Sequence, residues 1–459
     1  MALRSFNRSA RRVRALEVRA EVAADTERAL TPAGSPASPD DVVIVHARRT
    51  ALCKANTGGF KNTPVDELVF AVLKDAVDQT GIDPAEVGDV VMGSVMCQSS
   101  KRANEIRMAM LVTGIPDSVP VYTVNRQCAS GLQAIANVAY SIRIGQYDVG
   151  IAGGVESMTT NPMMLEWGTI NPHMAENPEA MDCLLPMGLT SENVAEQFGI
   201  TREEQDELAA ESHVRAGTAR DTGRFSDEII PVPTLWKDPK SGSEVHATVD
   251  HDDGIYPLDP GFDPFDTAGS EVHLTVDHDD GIHPEFTAKK LARHHPVFKK
   301  GGSTTVGNSS QVTDGAAACV LMTRAEAEKR GLKPLGRLLS FTAVGVPPGI
   351  MGIGPAVAIP KAVKMAGLKV EDINLFELNE AFASQAKYCQ KVLNIDSSIV
   401  NVNGGAIALG HPLGCTGARL TVTLLHEMQK RGKDCRFGVV SMCMASGMGA
   451  AGVFEQEQS

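Results

Sequence analysis

Between Val119 and Gly145 the hydrophobic periodicity changes within a few residues, and that change constrains the fold more than any other stretch. Val119, Val121 and Val124 form a short apolar, β-favouring run. From Leu132, the residues Ile135, Val138, Ala139 and Ile142 recur at helical spacing as far as Gly145. Between them lies a sharp turn, Asn125-Arg126-Gln127-Cys128-Ala129-Ser130-Gly131, carrying one cysteine. A cysteine there meets free backbone N–H groups and the positive end of a helix dipole, which favour a thiolate. An isolated cysteine is more often an inert core side chain, so other motifs must support a reactive one.

The same alternation recurs along the chain. Val42–Val45 reads as a buried strand, and Pro64 opens a helical pattern through Leu68, Val69, Val72, Leu73 and Val77 that stops at Gly81. Val87–Met96 reads as a strand, Asn104–Val112 as a helix and Val149–Ala152 as a strand. The pattern resumes at Gly315–Met322 and Arg337–Val346, then at the helix Pro360–Ala366 and the strand Leu375–Leu378. Ile399–Asn403, a Gly-rich turn, the helix Gly417–Lys430 and the strand Phe437–Met442 close it. Such alternation predicts an α/β layered fold with mostly parallel pairing. The plan of the last stretch resembles that of Val121–Gly154, so two related halves with active groups at equivalent strand ends are expected.

At 459 residues the chain has ample material for more than one domain or a large repeated architecture. A net charge of −13 argues against general nucleic-acid binding. No apolar run approaches the roughly 18 residues of a membrane span. Nine cysteines without a C-x-x-C pair fit neither a zinc site nor a secreted disulfide framework. A reducing or redox-controlled compartment is expected.

Residues 1–16 hold Arg4, Arg8, Arg11, Arg12 and Arg14 and no acid, and a Pro/Ser/Gly-rich segment, Thr31–Pro39, follows. Residues 1–39 therefore read as a targeting segment and linker. Arg12-Val13, five residues, then Arg19-Ala20 resembles a peroxisomal N-terminal signal; the Arg-rich opening equally suits mitochondrial or plastid import. Residues 159–311 lose periodicity. Within them Gly242–Pro257 and Gly269–Pro284 differ at only two of sixteen positions, which is too little repetition to stack a solenoid. This reads as a duplicated hairpin arm in an excursion domain. Asp250-His251-Asp252-Asp253-Gly254 and its copy lack the spacing of a calcium loop and read as solvated turns.

Three later motifs stand with the Cys128 turn: Asn379-Glu380-Ala381-Phe382-Ala383, Gly404-Gly405-Ala406-Ile407-Ala408-Leu409-Gly410-His411-Pro412, and Ser441-Met442-Cys443-Met444-Ala445-Ser446-Gly447. In this order and at these separations they resemble the four signatures of the thiolases over about residues 40–457. Leu184–Gly188, Gly307–Gln311 and Met351–Ala356 are similar to the plant-type peroxisomal 3-ketoacyl-CoA thiolases.

The resemblance implies duplicated βαβαβαββ halves in a five-layer αβαβα body with an inserted loop domain. Carried over, the halves are 40–158 plus 312–334, and 335–457, with 159–311 as the loop domain. It implies thiolytic cleavage of 3-oxoacyl-CoA by CoA in fatty acid β-oxidation, through an acyl-cysteine. The alternatives are a biosynthetic acetoacetyl-CoA thiolase and a catalytically weak acyl-CoA-binding protein of the same fold. Cys128 would be the nucleophile, His411 its base, Cys443 the general acid, and Asn379 the holder of an oxyanion water. The backbone N–H groups of Cys128 and Ala445 would form a second oxyanion site. Met187, Phe298, Ser310 and Phe382 would line the CoA path. No metal and no permanently bound cofactor is implied; CoA is a co-substrate. A homodimer and a peroxisomal import receptor are the implied protein partners, and the peroxisome the implied address.

The sequence departs from the family pattern after the second cysteine. Met444-Ala445-Ser446-Gly447 replaces Ile-Gly-Thr/Ser-Gly. A left-handed backbone at Ala445 would cost about 1 kcal/mol.

Overall fold

The computed structural model describes residues 29–97, 100–163, 170–237, 244–251, 274–277 and 281–457. The longer elements of the first part are β1 (Val42–Thr50), α1 (Val65–Thr80), β2 (Val90–Gly93), α2 (Lys101–Val112), β3 (Val121–Val124), α3 (Ser130–Arg143) and β4 (Val149–Ser157). Next come α4 (Met187–Phe198), α5 (Arg202–Asp221), β5 (Val232–Lys237), β6 (Glu244–His251) and β7 (Leu274–Asp277). The remainder holds β8 (Thr313–Thr323), α6 (Arg324–Arg330), β9 (Gly336–Gly345), α7 (Gly354–Met365), β10 (Leu375–Leu378), α8 (Ala383–Leu393), α9 (Leu413–Arg431), β11 (Phe437–Met444) and β12 (Met448–Gln456).

Pairing runs β10-β11-β12-β9-β1-β8-β4-β2-β3, with the two halves meeting where Val43 and Ile44 of β1 face Arg337 and Gly336 of β9. Each half has the same plan. The first orders its strands β3-β2-β4-β8-β1; the second orders them β10-β11-β12-β9 with Val400 bridging to Phe376 where a further strand would lie. Helices α3 and α9 pack together between the halves. Ala134, Ile135, Val138 and Ile142 of α3 share one core with Leu420, Val422, Leu424 and Met428 of α9 and with residues of both sets of strands. Leu68, Val72 and Leu73 of α1 cover the outer face of the first half, and Ile359, Val363 and Ala386 cover that of the second. The result is the five-layer α/β body that the family resemblance implies. The expected mostly parallel pairing does not hold: β10 with β11, β2 with β3 and β2 with β4 run parallel, and the other five pairs in that order run antiparallel.

Several boundaries differ from the sequence reading for local reasons. The expected strand 87–96 ends at Gly93 because the backbone N–H groups of Val95 and Met96 turn to the Glu156 carboxylate. The expected strand 399–403 shrinks to the single bridge at Val400. Asn401 adopts φ 46° and its amide bonds Leu378 O at 2.8 Å and Glu380 Oε1 at 2.8 Å. Residues 1–28, with their targeting motifs, lie outside the described residues. The chain just after them is no free linker: Leu30 is buried, its N–H donates to Leu339 O at 2.8 Å, and Ala33 N–H donates to Ala366 O at 2.9 Å. Arg337 fastens this strap through Ser35 O at 3.0 Å and Asp41 at 2.6 Å.

Among the described residues each repeat copy contributes one strand. The first copy's strand β6 runs antiparallel to β5 and parallel to the second copy's β7, with Ala247 facing Leu274 and Thr248 facing Thr275, the equivalent positions of the two copies. Only the second copy's end is docked in the body among the described residues. Gly281 O accepts from Gln311 Nε2 at 2.8 Å, and His283 N–H donates to His213 Nδ1 at 3.2 Å. Residues 252–260, with most of the first acidic turn, lie outside the described set.

The helix pair at the centre depends on small residues. A Cβ on Gly131 would lie 2.6 Å from Ala418 N. Gly131→Ala should therefore push α3 and α9 apart and lower stability by about 1–3 kcal/mol; an unchanged urea midpoint would contradict this packing.

Candidate active site

Strand β3 ends at Val124 and the chain reverses through a tight turn. Asn125 Oδ1 accepts from Gln127 N–H at 2.9 Å, and Gln127 takes the left-handed conformation at φ 49°. Ser130 Oγ accepts from Arg126 N–H at 3.0 Å and donates to Gln127 O at 2.6 Å. These bonds hold Cys128 at the mouth of α3, beside Val95, Met96 and Leu413. Its own backbone N–H and that of Ala445 lie near enough to the sulfur to favour the thiolate. Burial nevertheless pushes the thiol up to about 12, and the Glu156 carboxylate adds to the rise. Desolvation outweighs the N–H groups that favour a thiolate, so Cys128 rests as a thiol at neutral pH.

The Gly-rich turn of the second half presents His411 ahead of α9. Gly410 takes φ 106°, and its missing Cβ leaves room for the Thr313 side chain. His411 N–H donates to Gln311 O at 2.9 Å, which fixes the backbone. Its ring lies between two partners: Nδ1 is 2.6 Å from Thr416 Oγ1, and Nε2 is 3.3 Å from Asn379 Nδ2. An amide nitrogen can only donate, so Nε2 carries the lone pair and Nδ1 the hydrogen. Burial, with Arg419 nearby, pushes His411 down to about 3, so the ring is neutral at physiological pH. Asn379 itself is fully buried, its N–H donates to Ser441 O at 2.9 Å, and its Oδ1 has no hydrogen-bond partner among the described residues.

Cys443 ends β11 on the neighbouring strand. It is fully buried among Met187, Met351, Ala381 and Phe382, and burial raises its thiol well above the ordinary value, with Cys128 near enough to raise it further. After it the left-handed residues are Ser446 at φ 63° and Gly447 at φ 84°. Ala445 is not among them, so the strain expected at that position falls instead on Ser446, and the Ala445 N–H still reaches the Cys128 sulfur.

Met187, Phe298, Ser310 and Phe382 lie along one side of this group. Phe298 and Phe382 meet edge to face with centroids 6.2 Å apart, and the Phe298 ring occupies the space left by the absent side chain of Gly188. Ser310 N–H donates to Ala381 O at 3.1 Å. Lys299, one of the basic residues nearby, pairs with Glu196 at 2.6 Å.

Three supporting residues escaped the sequence reading. Thr416 orients the His411 ring from one turn along the chain. Glu380 accepts from Ser212 of α5 at 2.7 Å and from Ile407 N–H at 3.2 Å, tying the inserted region to the Gly-rich turn. Glu156 holds the loop beside Cys128. Among the described residues no group of three or more His, Cys, Asp or Glu side chains could hold a metal ion. None of the described helices is long and apolar enough to cross a membrane.

Comparison with known proteins agrees with this architecture. The family "Thiolase, N-terminal domain" matches residues 42–259 and 263–325, and "Thiolase, C-terminal domain" matches 332–456. The chain is 55% identical over 417 residues to 3-ketoacyl-CoA thiolase 2, peroxisomal, of Arabidopsis thaliana, covering 91% of this chain and 84% of that one. It is 50% identical over 427 residues to the peroxisomal 3-ketoacyl-CoA thiolase of Homo sapiens, covering 92% of each. The crystal structure of the dimeric peroxisomal thiolase of Saccharomyces cerevisiae superposes with a TM-score of 0.78 at 43% identity, covering 92% of this chain and 98% of that one. Human mitochondrial 3-ketoacyl-CoA thiolase in complex with CoA gives 0.75 at 32% identity, covering 94% and 100%. The chain belongs to the thiolase family of acyltransferases.

The buried neutral His411 has a consequence for stability. Its folded value, about 3, lies below the ordinary 6.5, so below pH 6.5 the unfolded chain binds more protons. Stability from this group is full above about pH 6.5 and is lost as pH falls towards 3. His411→Asn should flatten the loss of stability between pH 7 and pH 5 in urea titrations; slopes equal to wild type would contradict a buried neutral ring.

Proposed function

We propose that this chain cleaves 3-oxoacyl-CoA with CoA, giving acetyl-CoA and an acyl-CoA shortened by two carbons, as a peroxisomal thiolase of fatty acid β-oxidation. The observation that carries the reading is the approach of the Cys128 thiol, with the Ala445 N–H beside it, to a second thiol, Cys443, near the end of a strand of the other half. One sulfur can then be acylated while the other moves protons.

In the first step Cys128 gives its proton to His411 Nε2 as its sulfur attacks the keto carbon. The neutral ring, with its lone pair on Nε2, suits this role once Nε2 exchanges its long contact to Asn379 Nδ2 for the thiol. The C2–C3 bond then breaks, its electron pair passing to the acetyl-CoA enolate, which Cys443 protonates. Acyl-Cys128 remains. In the second step the Cys443 thiolate takes the proton of incoming CoA, whose sulfur attacks the thioester, and Cys128 departs with the proton returned by His411. Two oxygens gain charge. The N–H groups of Cys128 and Ala445 lie beside the sulfur and suit the oxygen of the acyl group bonded to it. The protonated Nε2, with a water held by Asn379, suits the enolate oxygen.

Met187, Phe298, Ser310 and Phe382 support a CoA path on the side of the site formed by the inserted region. The departure at Ala445 gives little ground for a catalytically weak binding protein, since Ala445 bears no left-handed strain. A homodimer is supported by the free edge of β3, with Tyr122 exposed, beside the exposed apolar residues Met108, Leu111 and Val112 of α2. Recognition by an import receptor rests on Arg12-Val13 and Arg19-Ala20, outside the described residues.

Thiolysis measured across acyl-chain lengths tests the activity. Cys128→Ala should abolish turnover and any covalent acyl adduct; persistence of an adduct by intact mass would refute the nucleophile. Cys443→Ala should leave Cys128 in place but slow turnover by about 10²–10⁴-fold. A loss under threefold would remove Cys443 from the proton transfers.

A further inference from the structure

The internal duplication contains a second, altered copy of the active-site geometry. In the first half Val90 pairs with Ile151, and five residues past Ile151 stands Glu156; in the second half Leu375 pairs with Gly438, and five past Gly438 stands Cys443. The antiparallel neighbours agree, since Glu156 faces Gly315 and Cys443 faces Gly449. Glu156 therefore occupies the place in the first half that Cys443 holds in the second. By the same count Ser94, one past Gly93, matches Asn379, one past Leu378. At the head of the central helices, Ser130-Gly131 of α3 matches Thr416-Gly417 of α9, which sets Gly414 opposite Cys128 in the comparison.

Where the reactive copy puts two sulfurs together, the altered copy puts a carboxylate on a helix terminus. Glu156 is fully buried. Its Oε2 accepts from Val95 N–H at 2.9 Å and Gly414 N–H at 3.0 Å, and its Oε1 accepts from Met96 N–H at 3.2 Å and Ser94 Oγ at 3.2 Å. All of these are donors, so the group serves as an anion, and the negative charge also suits the positive end of α9. Arg102 of α2 faces it and donates to Ser94 Oγ at 3.0 Å, while Cys128 and Cys415 are the other titratable groups that feel its charge. Burial holds the carboxyl above its ordinary value, and Arg102 and the three N–H donors offset only part of that rise.

The bonds have two destinations that matter for chemistry. Val95 and Met96 form the apolar wall beside Cys128. Gly414 lies between His411 and its partner Thr416 at the start of α9. The geometry points to Glu156 as a positioning residue for thiolysis, one carboxylate that sets the wall beside Cys128 in the first half against the helix start that carries His411 and Thr416 in the second. It rests on the reading of Cys128 and His411 as nucleophile and base. It touches neither substrate nor the reacting atoms.

Its charge opposes ionisation of Cys128, so a positioning role and a filler role separate experimentally. Glu156→Gln keeps the volume but removes the charge and turns a donor towards N–H groups. We expect kcat for thiolysis to fall about 10–100-fold, with KM for CoA within twofold of wild type. The pH profile of Cys128 alkylation by iodoacetamide, followed by peptide mass, should move to lower pH. Ser94→Ala, which removes one bond to the carboxylate and leaves its charge, should lower kcat less and leave the alkylation profile in place; it also serves if the Gln variant does not fold. An unchanged kcat in a folded Gln variant, or, where that variant does not fold, an unchanged kcat in Ser94→Ala, would overturn the proposal. So would a kcat loss matched by an equal rise in KM, or an alkylation profile that does not move in the Gln variant. Wild-type protein inactive on every 3-oxoacyl-CoA would instead defeat the thiolase reading.

Discussion

The close approach of α3 and α9 is the constraint on which the rest depends. Each helix brings a glycine to the crossing, Gly131 against Ala418 and Gly417 against Leu132, so the two backbones come nearer than larger residues allow. The helix starts are thereby brought side by side. Cys128 precedes one of them and His411 the other, and neither half of the chain contains both. The strand ends that carry Glu156 and Cys443 close the same space from the neighbouring layers. Chemistry at this site is therefore a property of the packing between halves.

That packing also fixes the protonation states. Desolvation holds Cys128, half-buried at the mouth of its helix, as a thiol and the buried His411 as a neutral ring. Neither group is activated at rest. In the mechanism proposed above, activation is transfer of one proton between them as the sulfur bonds to carbon, and it leaves an imidazolium beside a developing oxyanion. A low dielectric makes the resting ions costly and strengthens the charge pairing at the moment of reaction.

Much of this was legible in the sequence because it is local. The periodic runs at Leu68–Val77 and Leu132–Ile142 are helices in the structure, and the family resemblance holds across both halves. Helix α5 was missed although Thr201 and Glu204 form a capping box that the sequence displays. Its polar composition hid the apolar stripe that a sequence reading relies on. Glu156 gives no local signal at all: its four partners come from residues about 60 and 258 positions away. The desolvation of Cys128 gives no local signal for the same reason, since it is supplied by chain segments remote from the helix that bears it.

The duplicated arm has a consequence of its own. One copy supplies the strand that continues the sheet from β5, while the other supplies the Gly281–Pro284 segment seated against Gln311 and His213. The two anchors are thus divided between copies whose strands lie side by side, with equivalent residues facing at Ala247–Leu274 and Thr248–Thr275 before the register shifts at His251. Growth or contraction of the arm by whole 27-residue units would add or remove one strand and leave both anchors intact.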